Sequence, residues 1–289
     1  MGKYFLEGEI PNCDPDKAAV HVIPAPLETS VSYGGGTADG PKAILEASTQ
    51  LELWNGRSCP AEAGIHTSDP AVGAGGTEDS LRAIEKSVAF ALECGAVPFV
   101  IGGEHTVTLG ALRALKKQHG TFGIVQFDAH ADLRSSYEGD PLSHACVMRR
   151  AVEDLGLPVF QLGVRALCIE EVEFRKETPS VHGIDARELY LCGIPELLLP
   201  EVFPEKIYIS FDVDGLDPSV IRATGTPVPG GIIWHDALTL IEKAAKGRTV
   251  IGADVVELAP QVGDHASDFA AAQLVYELIG YCVDLQALD

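Results

Sequence analysis

The sequence predicts an α/β protein, a three-layer α/β/α sandwich around a largely parallel sheet. Three observations carry that expectation. Short apolar runs alternate with segments of helical periodicity along the chain. The runs are apolar throughout rather than at every second position, as expected for strands covered on both faces. Acidic and histidine residues gather where those runs end, the edge at which open α/β sheets bind ligands.

The elements follow in order. Residues 18–26, "AAVHVIPAP", read as a strand, and 40–54 as a helix with Pro41 in its first turn, where a missing N–H costs little. Residues 77–95 have helical periodicity and stop at Gly95. Strand 96–103 ends in two glycines and leads to helix 106–120. Strand 121–128, helix 144–156, strand 158–165 and helix 168–177 continue the alternation. A short strand at 180–186 and a weak helix in "IPELLLPEVF" (194–203) come next. Strand 206–214, helix 234–247, strand 249–258 and helix 267–285 complete the chain. Repeats and linker-like tracts are absent, so one unit spanning 1–289 is expected.

Composition narrows the function. The 289 residues are 46% hydrophobic, enough for a sizeable core. The charge of -21, from 42 acidic and 21 basic residues, disfavours nucleic acid and would attract a cationic ligand. No apolar run is long enough to cross a membrane. The opening residues lack a signal-peptide pattern, and seven scattered cysteines form no CxxC pair. A cytoplasmic protein with reduced thiols is expected.

The strand ends carry the chemistry. "VIGGEHT" puts Glu104 and His105 after one strand, and "FDAHAD" puts Asp128, His130 and Asp132 after the next. "SFDVDGLDP" contributes Asp212, Asp214 and Asp217, and "DVVEL" contributes Asp254 and Glu257. Alternate residues of an extended chain share a face, so Asp128, His130 and Asp132 should point one way if the chain stays extended. Converging carboxylates raise one another's pKa unless a cation sits among them. Two histidines and four aspartates suit two divalent ions, Mn²⁺ first, with Co²⁺, Zn²⁺ or Fe²⁺ as alternatives.

Taken together, "GGEHT" (102–106), "DAHAD" (128–132), "SHA" (143–145), "SFDVDGLDPSVIRATGTPVPGG" (210–231) and "DVVELAP" (254–260) resemble the ureohydrolase family of arginases, agmatinases and related guanidino hydrolases. The N-terminal "IPAPLETSVSYGGGTADGPKAILEAS" is similar to the agmatinase-type start, so the resemblance spans nearly the whole chain. It implies a largely parallel eight-stranded sheet, a binuclear manganese centre, and a homotrimer or homohexamer. It also implies a ligand set of His105, Asp128, His130, Asp132, Asp212 and Asp214, with Asp128 and Asp212 bridging. Two departures stand out: Glu104 occupies a position that is usually aspartate, and "SHAC" replaces an HGT-like version around His144.

A guanidinium is a poor electrophile, so its hydrolysis needs a strong nucleophile at neutral pH. A hydroxide bridging two ions meets that need. Asp132, next to that nucleophile, is expected to carry its proton to the leaving amine. The resemblance assigns Glu257 as the guanidinium anchor, His144 as a proton shuttle and Thr226 as a neighbour of the guanidinium. The loop "LRSSYEGDPLS" after the DAHAD motif holds Glu138 and Asp140, which would repel an anionic tail and attract an ammonium. A cationic, amine-tailed guanidine is therefore expected: agmatine first, then aminopropylagmatine, with arginine and guanidinobutyrate as further alternatives. Two readings from other classes compete. A silent metal-binding scaffold would bind Mn²⁺ without releasing urea; a deacetylase-like amide hydrolase would call for paired histidines, and no HH pair occurs.

Overall fold

The computed structural model describes residues 3–284. Eight parallel strands form one sheet in the order β2-β1-β3-β8-β7-β4-β5-β6. They are β1 (Val20–Ala25), β2 (Ile65–Thr67), β3 (Val97–Gly102), β4 (Gly123–Phe127), β5 (Val159–Leu162), β6 (Val181–Ile184), β7 (Lys206–Asp212) and β8 (Thr249–Val256). The helices are α1 (Gly40–Ser48), α2 (Thr77–Glu93), α3 (Val107–His119), α4 (Val147–Glu153), α5 (Ile169–Glu177), α6 (Ala186–Cys192), α7 (Trp234–Ala245) and α8 (His265–Asp284).

Alternation along each strand builds the layers. Phe99 and Ile101 pack on one face with side chains of α1, α7 and α8, including Ile44, Leu240 and Leu274. Val100, between them, packs on the other face with Leu81 and Ile84 of α2 and Leu112 of α3. Both faces are therefore covered, which is why these strands read as continuous apolar runs. On the first face Phe127 and Phe211 stack with ring centroids 4.7 Å apart, tying β4 to β7 just below the strand ends.

The expected layers and sheet are present, with local corrections. The helix expected to run to residue 54 ends at Ser48. No helix forms at 194–203, where Pro195 and Pro200 interrupt the backbone ladder and Leu197 stays exposed. Strand β2 and helix α6 were not expected from the pattern. β2 is three residues long and exists by pairing with β1. α6 buries only Ala186, so it shows no apolar stripe. Residue 285 of the expected last helix lies outside the described residues.

What this order does for function is specific. The chain leaves β3, passes over the places of β8 and β7, and resumes at β4. β7 and β8 later fill the gap, so the four central neighbours are β3, β8, β7 and β4. All four acidic motifs leave the carboxyl ends of these adjacent strands, where such a switch in strand order opens a crevice.

Candidate active site

His105 follows β3 at the entry to α3 and is fully buried. Its Nδ1 lies 3.2 Å from Asp128 Oδ2, 2.9 Å from Asp132 Oδ2 and 3.5 Å from Asp212 Oδ2. His130 Nδ1 lies 3.5 Å from Asp128 Oδ1 and 3.1 Å from Asp214 Oδ2. Two groups that could each hold a metal ion result, His105–Asp128–Asp132 and Asp128–His130–Asp214. Asp128 belongs to both and turns one carboxylate oxygen to each.

Each group is held from behind. The Gln126 side-chain amide donates to Asp128 Oδ2 at 2.7 Å, and Gln161, its register partner on β5, donates to Gln126 Oε1 at 2.6 Å. Ala129 N–H donates to Asp214 Oδ1, and Asp214 N–H donates to Asp212 Oδ1. Gly215 lets the turn after β7 settle directly on β4, since a Cβ there would lie 2.7 Å from Asp128 N. The fully buried Asp254 accepts from Thr108, Tyr208 and Ser210 hydroxyls. Ser210 donates to Asp254, so it accepts from His105 Nε2 at 2.9 Å. That fixes a proton on Nε2 and turns Nδ1 toward the carboxylates, where it holds either a second proton or a cation.

The donor set fits cations. Nδ1 of His105 is buried and makes no hydrogen bond although carboxylate oxygens surround it. A lone pair facing carboxylates is repulsive unless a positive charge lies between them. Protonation states tell the same story. Burial disfavours charge on His105 and His130, but the neighbouring aspartates outweigh it, raising His105 well above its usual range and His130 to about 12. Burial and Asp128 together lift Asp132 to about 6. Burial, Asp214 and Asp128 raise Asp212 well above the carboxylate range. Burial and Asp128 also raise Asp214. Without cations these groups hold protons that metal binding would displace.

The chain does not stay extended through the DAHAD motif, because Asp132 adopts φ of 52°. Its carboxylate reaches the His105 group through that left-handed step. Glu257 is also left-handed, with φ of 66°. Non-glycine residues hold such conformations at a cost and cluster at functional sites.

Glu257 lies at the end of β8, 5% exposed. Its Oε1 accepts from His105 N–H at 2.7 Å and meets His144 Nδ1 at 3.1 Å. Among the described residues Oε2 has no hydrogen-bond partner and is free for a ligand. His144 is raised to about 9, since Glu257 outweighs the effect of burial. Thr226 Oγ1 is 3.4 Å from Asp214 Oδ2.

His130, Asp132, Asp212, Asp214, His144, Thr226 and Glu257 line one cavity of about 350 Å³. Asp128 and His105 sit beneath it, fully buried. Glu138 and Asp140 do not line it: Glu138 is exposed on a turn, and Asp140 Oδ1 accepts from Leu142 N–H. Ser32, Tyr137 and Glu171 line the cavity without having been singled out in the sequence. Glu171 is marked by its place three residues after Cys168 at the start of α5, where its carboxylate accepts from Cys168 and Leu133 N–H.

Comparison with known proteins agrees with this geometry. The model of the "Arginase family" matches residues 18–280. The chain is 38% identical to the N(1)-aminopropylagmatine ureohydrolase of Synechocystis sp., over 96% of this chain and 94% of that protein. It is 34% identical to the agmatinase of Bacillus subtilis, over 96% of each. Among solved structures, the agmatine ureohydrolase of Thermoplasma volcanium superposes with a TM-score of 0.83 at 30% identity, over 95% of this chain and 93% of that one. Sequence motifs, sheet order and paired ligand groups lead to the same place: the chain belongs to the arginase family, whose ureohydrolases cleave guanidino C–N bonds.

Proposed function

We propose that this protein hydrolyses an amine-tailed guanidine to urea and the corresponding amine, with two Mn²⁺ ions as cofactor. The observation that carries the reading is the pair of ligand groups sharing Asp128, next to a Glu257 with one carboxylate oxygen free. The oxygen-rich donor set with two imidazoles suits Mn²⁺. When bound, the ions would supply Lewis acidity and make water nucleophilic near neutral pH.

The chain's own residues would do the rest. Glu257 Oε2 takes an N–H of the guanidinium and fixes its plane, while His105 N–H and His144 hold Oε1 in place. Asp132 accepts the proton of the attacking water and returns it to the departing amine. His144, beside Glu257 on the cavity wall, exchanges protons with solvent. Thr226 orients Asp214.

For the tail, the 38% identical relative moves the first choice from agmatine to N1-aminopropylagmatine, with agmatine next. Glu171 on the cavity wall takes the part expected of Glu138 and Asp140, facing a distal ammonium. A homotrimer or homohexamer, one catalytic unit over 1–289 and a cytoplasmic location are further proposals from the resemblance. The test is kcat/KM for aminopropylagmatine, agmatine, arginine and guanidinobutyrate with Mn²⁺-loaded protein. The two amine-tailed substrates should lead by roughly tenfold or more; a preference for arginine or guanidinobutyrate would overturn the assignment.

A further inference from the structure

Glu104 is fully buried, and the proposed reaction does not use it. Its carboxylate accepts four hydrogen bonds, all from two consecutive residues. Thr29 N–H and Ser30 N–H donate to Oε2 at 2.7 Å each, and the Thr29 and Ser30 hydroxyls donate to Oε1 at 3.0 Å each. Ser30 Oγ in turn accepts from His144 N–H at 2.9 Å. The His144 ring meets Glu257 Oε1, which His105 N–H also holds. Glu104 and His105 are neighbours in the chain, so the contacts close into a ring: Glu104, Ser30, His144, Glu257, His105.

A second carboxylate closes the other end of the same segment. Glu28 accepts from Gly36 N–H, Ala38 N–H and the Thr37 hydroxyl. Between the two pins lie Ser32, on the cavity wall, and Tyr33, 88% exposed. Gly34 N–H donates to Gly225 O, which sets the segment against the residue preceding Thr226.

We infer that Glu104 is a positioning residue: by clamping Thr29 and Ser30 it sets the backbone of His144, and through it the His144–Glu257 pair. This inference rests on the role proposed above for His144. The length of the side chain matters. Aspartate would fall short by about one C–C bond, about 1.5 Å, enough to take the 2.7 Å contacts beyond hydrogen-bonding range. The glutamate at this position is therefore matched to its loop rather than to the metal ligand that follows it.

The test compares Glu104→Asp, Glu104→Gln, Ser30→Ala, Ser30→Thr and the Glu104→Gln/Ser30→Ala double variant, all as Mn²⁺-loaded full-length protein. Metal content, kcat, KM and hydrogen exchange in peptides covering 28–36 and 142–148 are measured. Both Glu104 variants should keep their metal, exchange faster in both peptides, and lose roughly ten- to a hundredfold in kcat with a smaller change in KM. Ser30→Ala should speed exchange in 142–148, and Ser30→Thr, which keeps the hydroxyl, should restore the rate. The double variant should be no slower than Glu104→Gln alone, because both act through one contact.

A kcat within about twofold of wild type, a rate loss that tracks lost metal, or losses that multiply in the double variant would each overturn the inference. Should Glu104→Gln fail to fold, Ser30→Ala and Ser30→Thr decide alone. If wild type releases urea from no guanidine, the hydrolase reading fails and the exchange data decide the clamp: coupled loosening of the two peptides upholds it, and unchanged exchange in 142–148 overturns it.

Discussion

Glu257 carries two features that rarely coincide, a left-handed backbone and a nearly buried carboxylate with one oxygen free. The strain is held by its surroundings: Glu257 N–H donates to Gly103 O, and His105 N–H grips Oε1. Such a group suits the anchoring role proposed for it. Glu257→Gln keeps the shape but halves the carboxylate's capacity to accept. It should lower kcat/KM for the preferred guanidine by about a hundredfold or more while metal content stays at the wild-type level, measured on the same sample by elemental analysis. Full activity in that variant would remove the anchor role. Glu257 was legible because its motif ends a strand and resembles a family motif, and the resemblance supplied its role. Ser30, Ser32 and Glu171 were not, since a serine in a loop or a glutamate in a first helical turn has the same local signature with or without a cavity beside it.

Four strands do the positioning. β3, β8, β7 and β4 are neighbours although β7 and β8 come last in the chain, and that adjacency brings four motifs to one crevice. The sequence revealed the strands through their apolar runs but not their order, which depends on contacts between distant segments. Where the physics was local the expected strand formed: β4 ends at Phe127, and the acidic motif begins at Asp128. Where one step of backbone mattered it failed, because nothing in "DAHAD" announces the left-handed turn at Asp132. Short or exposed elements were equally hidden. β2 needs β1 as a template, and α6 shows the solvent most of its surface.

The charge of -21 favours approach by a polycation but places many acidic groups around a buried cluster of carboxylates. A metal held by that cluster would compete with protons. Burial opposes charge on His144, yet Glu257 prevails and raises it from 6.5 to about 9, so the stabilisation it gives is complete below 6.5 and is lost as pH rises through 9. His130, raised to about 12, acts in the same direction. Asp132, lifted from 3.8 to about 6 by burial and Asp128, binds a proton in the folded state that the unfolded chain has released, so stability also falls over that interval. Metal-free protein should therefore show a falling Tm between pH 6.5 and 9, while the gain on adding Mn²⁺ widens with pH as the displaced protons leave more easily. A metal-free Tm that rises over this range would contradict the assignment of these groups.

The most direct measurement is urea release during Mn²⁺ titration of chelator-stripped protein, with aminopropylagmatine as substrate and bound metal counted in parallel. Two ligand groups joined by Asp128 predict no activity without metal and a maximum when two ions are bound per chain. Full activity in stripped protein, saturation at a single ion, or two bound ions with no urea released from any guanidine would contradict it.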